Sequence, residues 1–568
     1  MRDTAIQPMT PSRRLTLVLT FLGVLAATTS APWGAGRKFY DDDPLVREPE
    51  TQDASGAKEQ EIDLVYDLVM NLFTKPGDPV ANTRARNINT IDEVPDSSWF
   101  TNRILSRTVS NQEAMRGPLT GSGPVAGAWT ITQPKPGEQP GFTMQDTAGT
   151  TWFVSFDARG YPEAATGAVM VANKIFWTLG YWQVEHYLIT VHPDQLTIAE
   201  STMIRPLSGQ LRRMKDSDLD ALLRQANRSA DGSYRAVAAR AVPGRPLGGF
   251  LYFGSRPDDP NDVVPHEHRR ELRALKVFGA WTNLVDMAAG NTLDALMTEG
   301  GRSTIRHYLQ DVGSTFGTSA SAPHEPDEGW EALFNAHKTR QRLFRLGFPI
   351  EPWQTANYED RPAIGPFEGD VFDPLEWQPR VTTAAVRHAR ADDTFWAARR
   401  VMAFSDDLIR ALVKAGGYSD PRDEQHLADV LIKRRNKIGS TYLPAVNPIV
   451  EPALDATGRL TFVNAAVAAG VAPPPSGGYS ARWFTYDNAT GATAAIGTPT
   501  VGRDPEVRAP GALPASGYLK IEISGVQPPH ASWAVPIDVY FHRTPAGWTL
   551  VGLDRLPPLE SVAPLPAK

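Results

Sequence analysis

The 568-residue chain contains no cysteine. Disulfides, a thiolate zinc site, a cysteine nucleophile and lipid attachment to an amino-terminal cysteine are therefore excluded. Basic runs are also missing: 57 Lys and Arg against 64 Asp and Glu give a formal net charge of −7, and no segment concentrates the positive charge. Without that electrostatic footprint no nucleic-acid partner is expected. Long apolar runs are absent too. The single candidate is "LTLVLTFLGVLAA", 13 residues from Leu15 to Ala27, too short to span a bilayer comfortably, so no integral membrane domain is expected beyond it. There is no G-x-S-x-G, which leaves any choice of a Ser-His-Asp set arbitrary, and no H-E-x-x-H.

The short apolar run follows Arg13 and Arg14 and leads into small residues ending at Ala31. Residues 1–31 read as an export signal, and the protein is expected in the periplasm or outside the cell. Pro32 beside the cut leaves an uncleaved amino-terminal anchor as the alternative. Cleavage would remove three Arg and one Asp and make the chain more acidic.

Residues 32–124 read as an extension, first extended and then helical, with Leu64, Val65, Leu68, Val69 and Leu72 on one helical face. Residues 125–265 change period. "GAWTITQPKPGEQPGFTMQDTAGTTWFVSFD" predicts a three-stranded meander, "EAATGAVMVANKIFWTLGY" a helix stopping at Gly180, and "HYLITV" and "GGFLYFG" further strands on either side of a helix at "DLDALLRQA". Residues 266–445 read as mostly helical, opening with a helix over 266–285 whose end delivers Asp286. After the break "VAPPPSGGYS" the alternation returns, and residues 446–568 are expected to form a small antiparallel β domain. The fold class is α+β.

The chemistry concentrates in "DMAAGN" and "HYLQDVGSTFG". Asp286 is followed five residues later by Asn291. "TLDALMT", the turn "EGG" and "RSTIRHYLQ" can form a hairpin that brings Asp311, followed by Val312 and Gly313, back beside Asn291. Magnesium prefers hard oxygen ligands, so an Asn and an Asp can hold it while a second carboxylate stays free as a base. The bland reading has Asp286 capping a turn, Asn291 in an Asx turn and Asp311 bonding backbone at a strand end.

With the meander and helix that precede them, these residues resemble the protein-kinase-like superfamily, and its atypical HipA-like and secretory-pathway members more than ordinary eukaryotic kinases. "EVPDSSWFTNR", "RPDDPNDVVPHEHRRELR" and "HYLQDVGSTFG" also resemble a family of exported bacterial proteins. The first resemblance covers roughly residues 125–440. It implies a bilobal kinase-like body, Mg or Mn with ATP, and transfer of the γ-phosphoryl group to a hydroxyl acceptor, with Asp286 catalytic and Asn291 and Asp311 on the metal. It also asks for a Lys on the third strand and a Glu on the following helix. Ser155 stands in the first place, Val169 and Met170 in the second. Lys135, between Pro residues and near Gly137 and Gly141, is the replacement expected to reach nucleotide phosphates; Lys174 is a second option from the helix. The alternative is a degenerate pseudokinase, or a noncatalytic exported scaffold whose β domain binds a protein or glycan. His266 and His268, two apart, do not share a helix face. Asp258, Asp259 and Asp262 form either a turn or a calcium site.

Overall fold

The computed structural model describes residues 36–135, 139–206, 209–334, 340, 344 and 351–556. The export segment and Gly137 lie outside the described residues. The first helix, α1 (Leu64–Val69), starts on Asp63, whose carboxylate accepts from the amides of Val65 and Tyr66. Its faces are the reverse of the apolar pattern. Asp67 and Asn71 are buried, whereas Val65 is 71% and Tyr66 63% exposed. Asp67 turns inward because its carboxylate accepts the backbone amide of Ala289 and the side-chain amide of Asn71 at 2.9 Å. Satisfying that amide outweighs the apolar stripe in setting the helix rotation. A second short helix, α2 (Asn111–Arg116), begins on the Ser110 side chain, which accepts from Glu113 N.

The meander forms as the alternation dictates. Strands β1 (Trp129–Pro134), β2 (Gly141–Gln145) and β3 (Thr151–Phe156) run antiparallel. Ile131 faces Met144 across the first pair, and Met144 faces Trp152 across the second. With β4 (His186–Val191), β5 (Leu196–Ile198) and β6 (Tyr234–Arg240) they make a six-stranded sheet in the order β4-β6-β3-β2-β1-β5. Period two divides its faces. Ile131, Met144, Trp152, Val154, Ala236 and Ala238 point into a buried cluster, while Thr143, Phe153, Ser155, Val237 and Ala239 face the other way. Helix α3 (Ala164–Leu179) follows β3. Asp157 starts it by accepting from Thr166 N at 2.9 Å and Thr166 Oγ1 at 2.7 Å. Gly180 ends it at a φ of 131°, beneath the Phe100 ring, where a Cβ would lie 2.2 Å from Cζ. Helix α4 (Asp216–Leu223) separates β5 from β6.

Two sequence expectations fail here. "GGFLYFG" pairs as no strand; Phe250 and Tyr252 are buried in the main core instead, and Phe250 N donates to Thr292 Oγ1 at 2.8 Å. The helix expected over 266–285 is broken into a 3-10 turn, His266–His268, a short helix, Arg270–Arg273, and α5 (Leu275–Thr282), which Asn283 ends in the left-handed conformation at φ 56°. Arg269, Arg270 and Arg273 are buried among carboxylates rather than spread on a solvated face. Reaching those partners from three sides bends the backbone at Arg269, which is extended.

Past the Asp286 loop, β7 (Thr292–Glu299) and β8 (Arg302–Leu309) form the expected hairpin, in register from Thr292–Leu309 to Glu299–Arg302. Helices α6 (Ala391–Met402), α7 (Asp406–Lys414) and α8 (Pro421–Tyr442) then pack with α5 around Trp281, Trp396 and Phe404. The carboxy-terminal strands are antiparallel: β9 (Ile449–Leu454) with β10 (Arg459–Asn464), then β11 (Tyr479–Tyr486), β12 (Tyr518–Gly525), β13 (Ile537–Thr544) and β14 (Gly547–Asp554) in sequential pairing. The extension straps this part to the rest. Phe39 is buried against Tyr486, Tyr518 and Tyr540, and Arg555 reaches Asp92 at 3.4 Å. Among the described residues no helix is long and apolar enough to cross a membrane.

Candidate active-site cleft

The outward face of the six-stranded sheet and the β7–β8 hairpin enclose a cleft of about 650 Å³. Lys135, Ser155, Asp286, Asn291 and Asp311 all line it. Asn291 ties the far wall together. Its main-chain carbonyl accepts from Gln310 N and Asp311 N, both at 3.0 Å, and its Nδ2 donates to the Asp286 carbonyl at 3.1 Å. The hairpin therefore closes on the loop and sets Asp311 beside Asn291. Asp311 Oδ1 accepts from Gly313 N at 2.9 Å. Asp286 is exposed to the cleft, yet the surrounding protein desolvates its carboxyl and so raises its pKa; the side-chain amide of Asn291 opposes that shift, and the negative charge of Asp311 adds to it.

The opposite wall supplies the cation. Lys135 follows β1 directly, and its Nζ donates to Ser155 Oγ at 2.7 Å and to Gln139 Oε1 at 2.9 Å. An ammonium thus lies over the third-strand position although Ser155 occupies it. Burial lowers the pKa of Lys135, and the charge of Asp311 counters this from across the cleft. Gly141 makes the route possible without itself being among the cleft-lining residues. It pairs with Ser155 on β3, and a Cβ there would sit 2.3 Å from the Val154 carbonyl and 3.0 Å from Lys135 Cδ. The strand register that joins Lys135, Gly141 and Ser155 is what sequence reading lacked. The only local signal is a Lys between prolines ahead of a Gly.

Lys174 does not line the cleft. It is buried, its Nζ has no hydrogen-bond partner among the described residues, and its stem packs on Gly117 at the end of α2. Burial lowers its pKa to about 8, with Glu185 opposing the shift. Because the unfolded value is near 10.4, the unfolded chain binds more protons between those limits, so stability rises with pH from about 8 to about 10.4. Below that window the buried charge costs up to about 3 kcal/mol. Lys174→Met should accordingly raise stability by about 1–3 kcal/mol at pH 7 and flatten its rise above pH 8, as read by urea unfolding across pH. A destabilised variant would show that the ammonium has a favourable partner.

His266 and His268 serve structure. His266 Nε2 meets Asp262 Oδ2 at 2.8 Å, and His268 Nε2 meets Asp78 Oδ2 at 2.9 Å. Asp258 pairs with Arg256 and Asp259 accepts from Asn261 N, so the cluster is a turn held by local bonds. Among the described residues no three His, Cys, Asp or Glu side chains converge as a ready metal site. On the hairpin side the cleft offers the carboxylates of Asp286 and Asp311 with the amide of Asn291, a donor set that suits a hard divalent cation once phosphate oxygens and water complete its shell.

No protein-family model matches the chain, and no curated protein matches it. Two solved structures show a weak likeness. "Crystal structure of the golgi casein kinase" is 10% identical with a TM-score of 0.29, over 70% of this chain and 94% of that one. "Crystal structure of the Golgi casein kinase with Mn/ADP bound" is 10% identical with a TM-score of 0.26, over 70% and 95%. Values this low carry no weight for function.

Proposed function

We propose that the chain is an exported, atypical kinase-like protein that binds a nucleoside triphosphate with Mg or Mn in this cleft and transfers its γ-phosphoryl group to a hydroxyl acceptor. The convergence of Lys135, Asp286, Asn291 and Asp311 on one cleft carries the reading. Residues 125–265 and 266–445 act as its two lobes, and residues 446–568 as a β domain for a protein or glycan partner. Lys135 holds phosphate oxygens as a point charge. Asn291 and Asp311 are the residues that would hold the cation, which when bound neutralises phosphate charge. Asp286, its pKa raised by desolvation at the cleft wall, orients the acceptor hydroxyl and takes its proton.

One observation favours a second, noncatalytic reading. No carboxylate on α3 pairs with Lys135, and Val169 lines the cleft where such a group would come from. A degenerate site would bind nucleotide without turnover.

Thermal unfolding with ATP or GTP plus Mg or Mn separates the readings. The wild type should gain a few degrees, and Asp311→Asn should lose that gain with its far-UV spectrum intact. Asp286→Asn should keep the gain and lose about 10²- to 10⁴-fold in phosphoryl transfer. No gain with any nucleotide and cation overturns nucleotide binding; gain without turnover in the wild type establishes the noncatalytic reading.

A further inference from the structure

Among the described residues the cleft is lined by the hydroxyl side chains of Thr143, Ser155, Thr166, Ser314 and Ser319. Most are held away from the carboxylates. Ser155 Oγ accepts from Lys135 Nζ at 2.7 Å, Thr166 Oγ1 donates to Asp157 at 2.7 Å, and Ser319 Oγ donates to the Ala322 carbonyl at 2.8 Å. Thr143 lies on β2, in the sheet wall opposite Asp286. Ser314 alone of the five sits on the wall that carries Asp286 with its Oγ beside an imidazole, 2.9 Å from His324 Nε2.

The backbone sets Ser314 between the two carboxylates. Gly313, just before it, donates its N–H to Asp311 Oδ1 at 2.9 Å, and a Cβ at Gly313 would lie 3.2 Å from that oxygen. The Ser314 carbonyl accepts at 3.4 Å from the amide of Val285, the residue ahead of Asp286. The loop that follows is closed by its own bonds: Phe316 N donates to the Thr282 carbonyl at 2.9 Å, and His324 N to the Gly317 carbonyl at 2.8 Å. A hydroxyl fixed this way reacts without a further cost in positional entropy.

His324 is buried, and its Nδ1 has no partner among the described residues. A Ser-His-acid relay for acyl transfer needs its carboxylate on Nδ1. Here Glu328 lies 3.8 Å from Nε2, the nitrogen that already meets Ser314, so the geometry is not that of a relay. Burial, then the charge of Arg380, lower the His324 pKa to about 4, and the ring stays neutral. In either neutral tautomer one hydrogen bond joins ring and hydroxyl: Nε2 accepts the Ser314 proton or donates to one of the two lone pairs on Oγ. Both arrangements leave a lone pair of Oγ for the cleft. A ring this weakly basic positions the oxygen and does not keep its proton.

We propose that Ser314 is an acceptor for the γ-phosphoryl group within its own chain, with His324 as the positioning residue. This rests on the phosphoryl-transfer reading of the cleft. Ser314 Oγ bonds the γ-phosphorus as the bond from that phosphorus to the β–γ bridging oxygen breaks. ADP leaves with the electron pair, and Asp286 takes the hydroxyl proton.

Full-length protein incubated with γ-radiolabelled ATP and Mg or Mn, then mapped by peptide mass spectrometry, tests the proposal. Label should accumulate on Ser314, with a first-order rate that does not change across about a hundredfold range of protein concentration, as a step within one chain requires. Ser314→Ala should abolish that label while nucleotide and cation still raise the unfolding temperature, and Ser319→Ala should leave it unchanged. His324→Ala should slow single-turnover labelling about 10- to 100-fold at unchanged nucleotide affinity, the scale expected for a misplaced nucleophile. His324→Gln, which returns a hydrogen-bonding amide near the place of Nε2, should recover part of that loss, whereas a merely structural histidine would give no recovery. ADP formation without label on Ser314, or a labelling rate that rises with protein concentration, overturns the proposal while phosphoryl transfer stands. An unchanged rate in His324→Ala overturns the positioning role. Neither ADP nor label overturns the transfer reading and this one with it.

Discussion

Arg270→Ala should cost about 3–5 kcal/mol of stability, enough to unfold much of the protein at 25 °C in mild denaturant. The Arg270 side chain is fully buried. It meets Asp92 at 2.9 Å, Asp393 at 2.9 Å and Asp392 at 3.2 Å, and donates to the Asp92 carbonyl at 2.7 Å. Neighbouring Arg residues partly cover each carboxylate, Arg273 at Asp393, Arg390 at Asp392, Arg555 at Asp92. None bridges all three. Truncation would leave three buried carboxylates facing a cavity, and burial already raises the pKa of Asp392, with Arg270 opposing it. In the variant Asp392, freed of Arg270, should take up a proton more readily folded than unfolded. The variant's stability should therefore recover in part as pH falls from 7 toward 5, which a simple packing loss would not do. Arg410→Ala, breaking an exposed pair with Asp429, should cost less than about 1 kcal/mol. Equal small losses in both variants would show that the cluster is not a structural keystone. The consequence reaches the cleft: Arg270 joins the extension to the start of α6 just ahead of α5, whose end leads to Asp286.

The same cluster shows where sequence reading stops. The meander, α3 and the β7–β8 hairpin are legible because period two and period 3.6 report directly on local backbone and burial. The convergence of Asp286, Asn291 and Asp311 is legible for the same reason: a two-stranded hairpin must return near its start. What fails depends on partners distant in sequence. The charge-rich start of the expected 266–285 helix carries no local sign of burial, yet its arginines are buried and neutralised by Asp92, Asp392, Asp393 and Glu48. The apolar stripe of α1 reads as a buried face, yet Asp67 is drawn inward by Ala289 N. Two positions paired across strands, Gly141 and Ser155, decide where Lys135 goes, and no periodicity reports register. The place of His186 in the cleft is illegible in the sequence because it depends on strand pairing and on Asn173, on a helix 13 residues before it.

Moving one lysine tests the cleft most directly. Lys135→Ala should weaken nucleotide binding about 30- to 150-fold, because a desolvated ammonium facing phosphate is a charge-assisted contact worth about 2–3 kcal/mol. The fold should survive, since Lys135 follows the end of β1 and its partners Ser155 and Gln139 are polar groups at the cleft that water can satisfy. Ser155→Lys on that background returns an ammonium from β3 to the region that Lys135 Nζ occupies 2.7 Å from Ser155 Oγ. Removal of the Lys135 stem, which Gly141 now accommodates, makes room for the new side chain. The double variant should recover at least about a tenth of wild-type affinity, whereas Ser155→Lys alone should lose affinity by placing two ammonium groups together. Calorimetry with GTP and ATP reads all three. Unchanged affinity in Lys135→Ala would remove this lysine from phosphate binding. A double variant no better than the single would show that charge near β3 is not enough, and that the approach from β1, set by Gly141 and the β1–β2 register, is itself required.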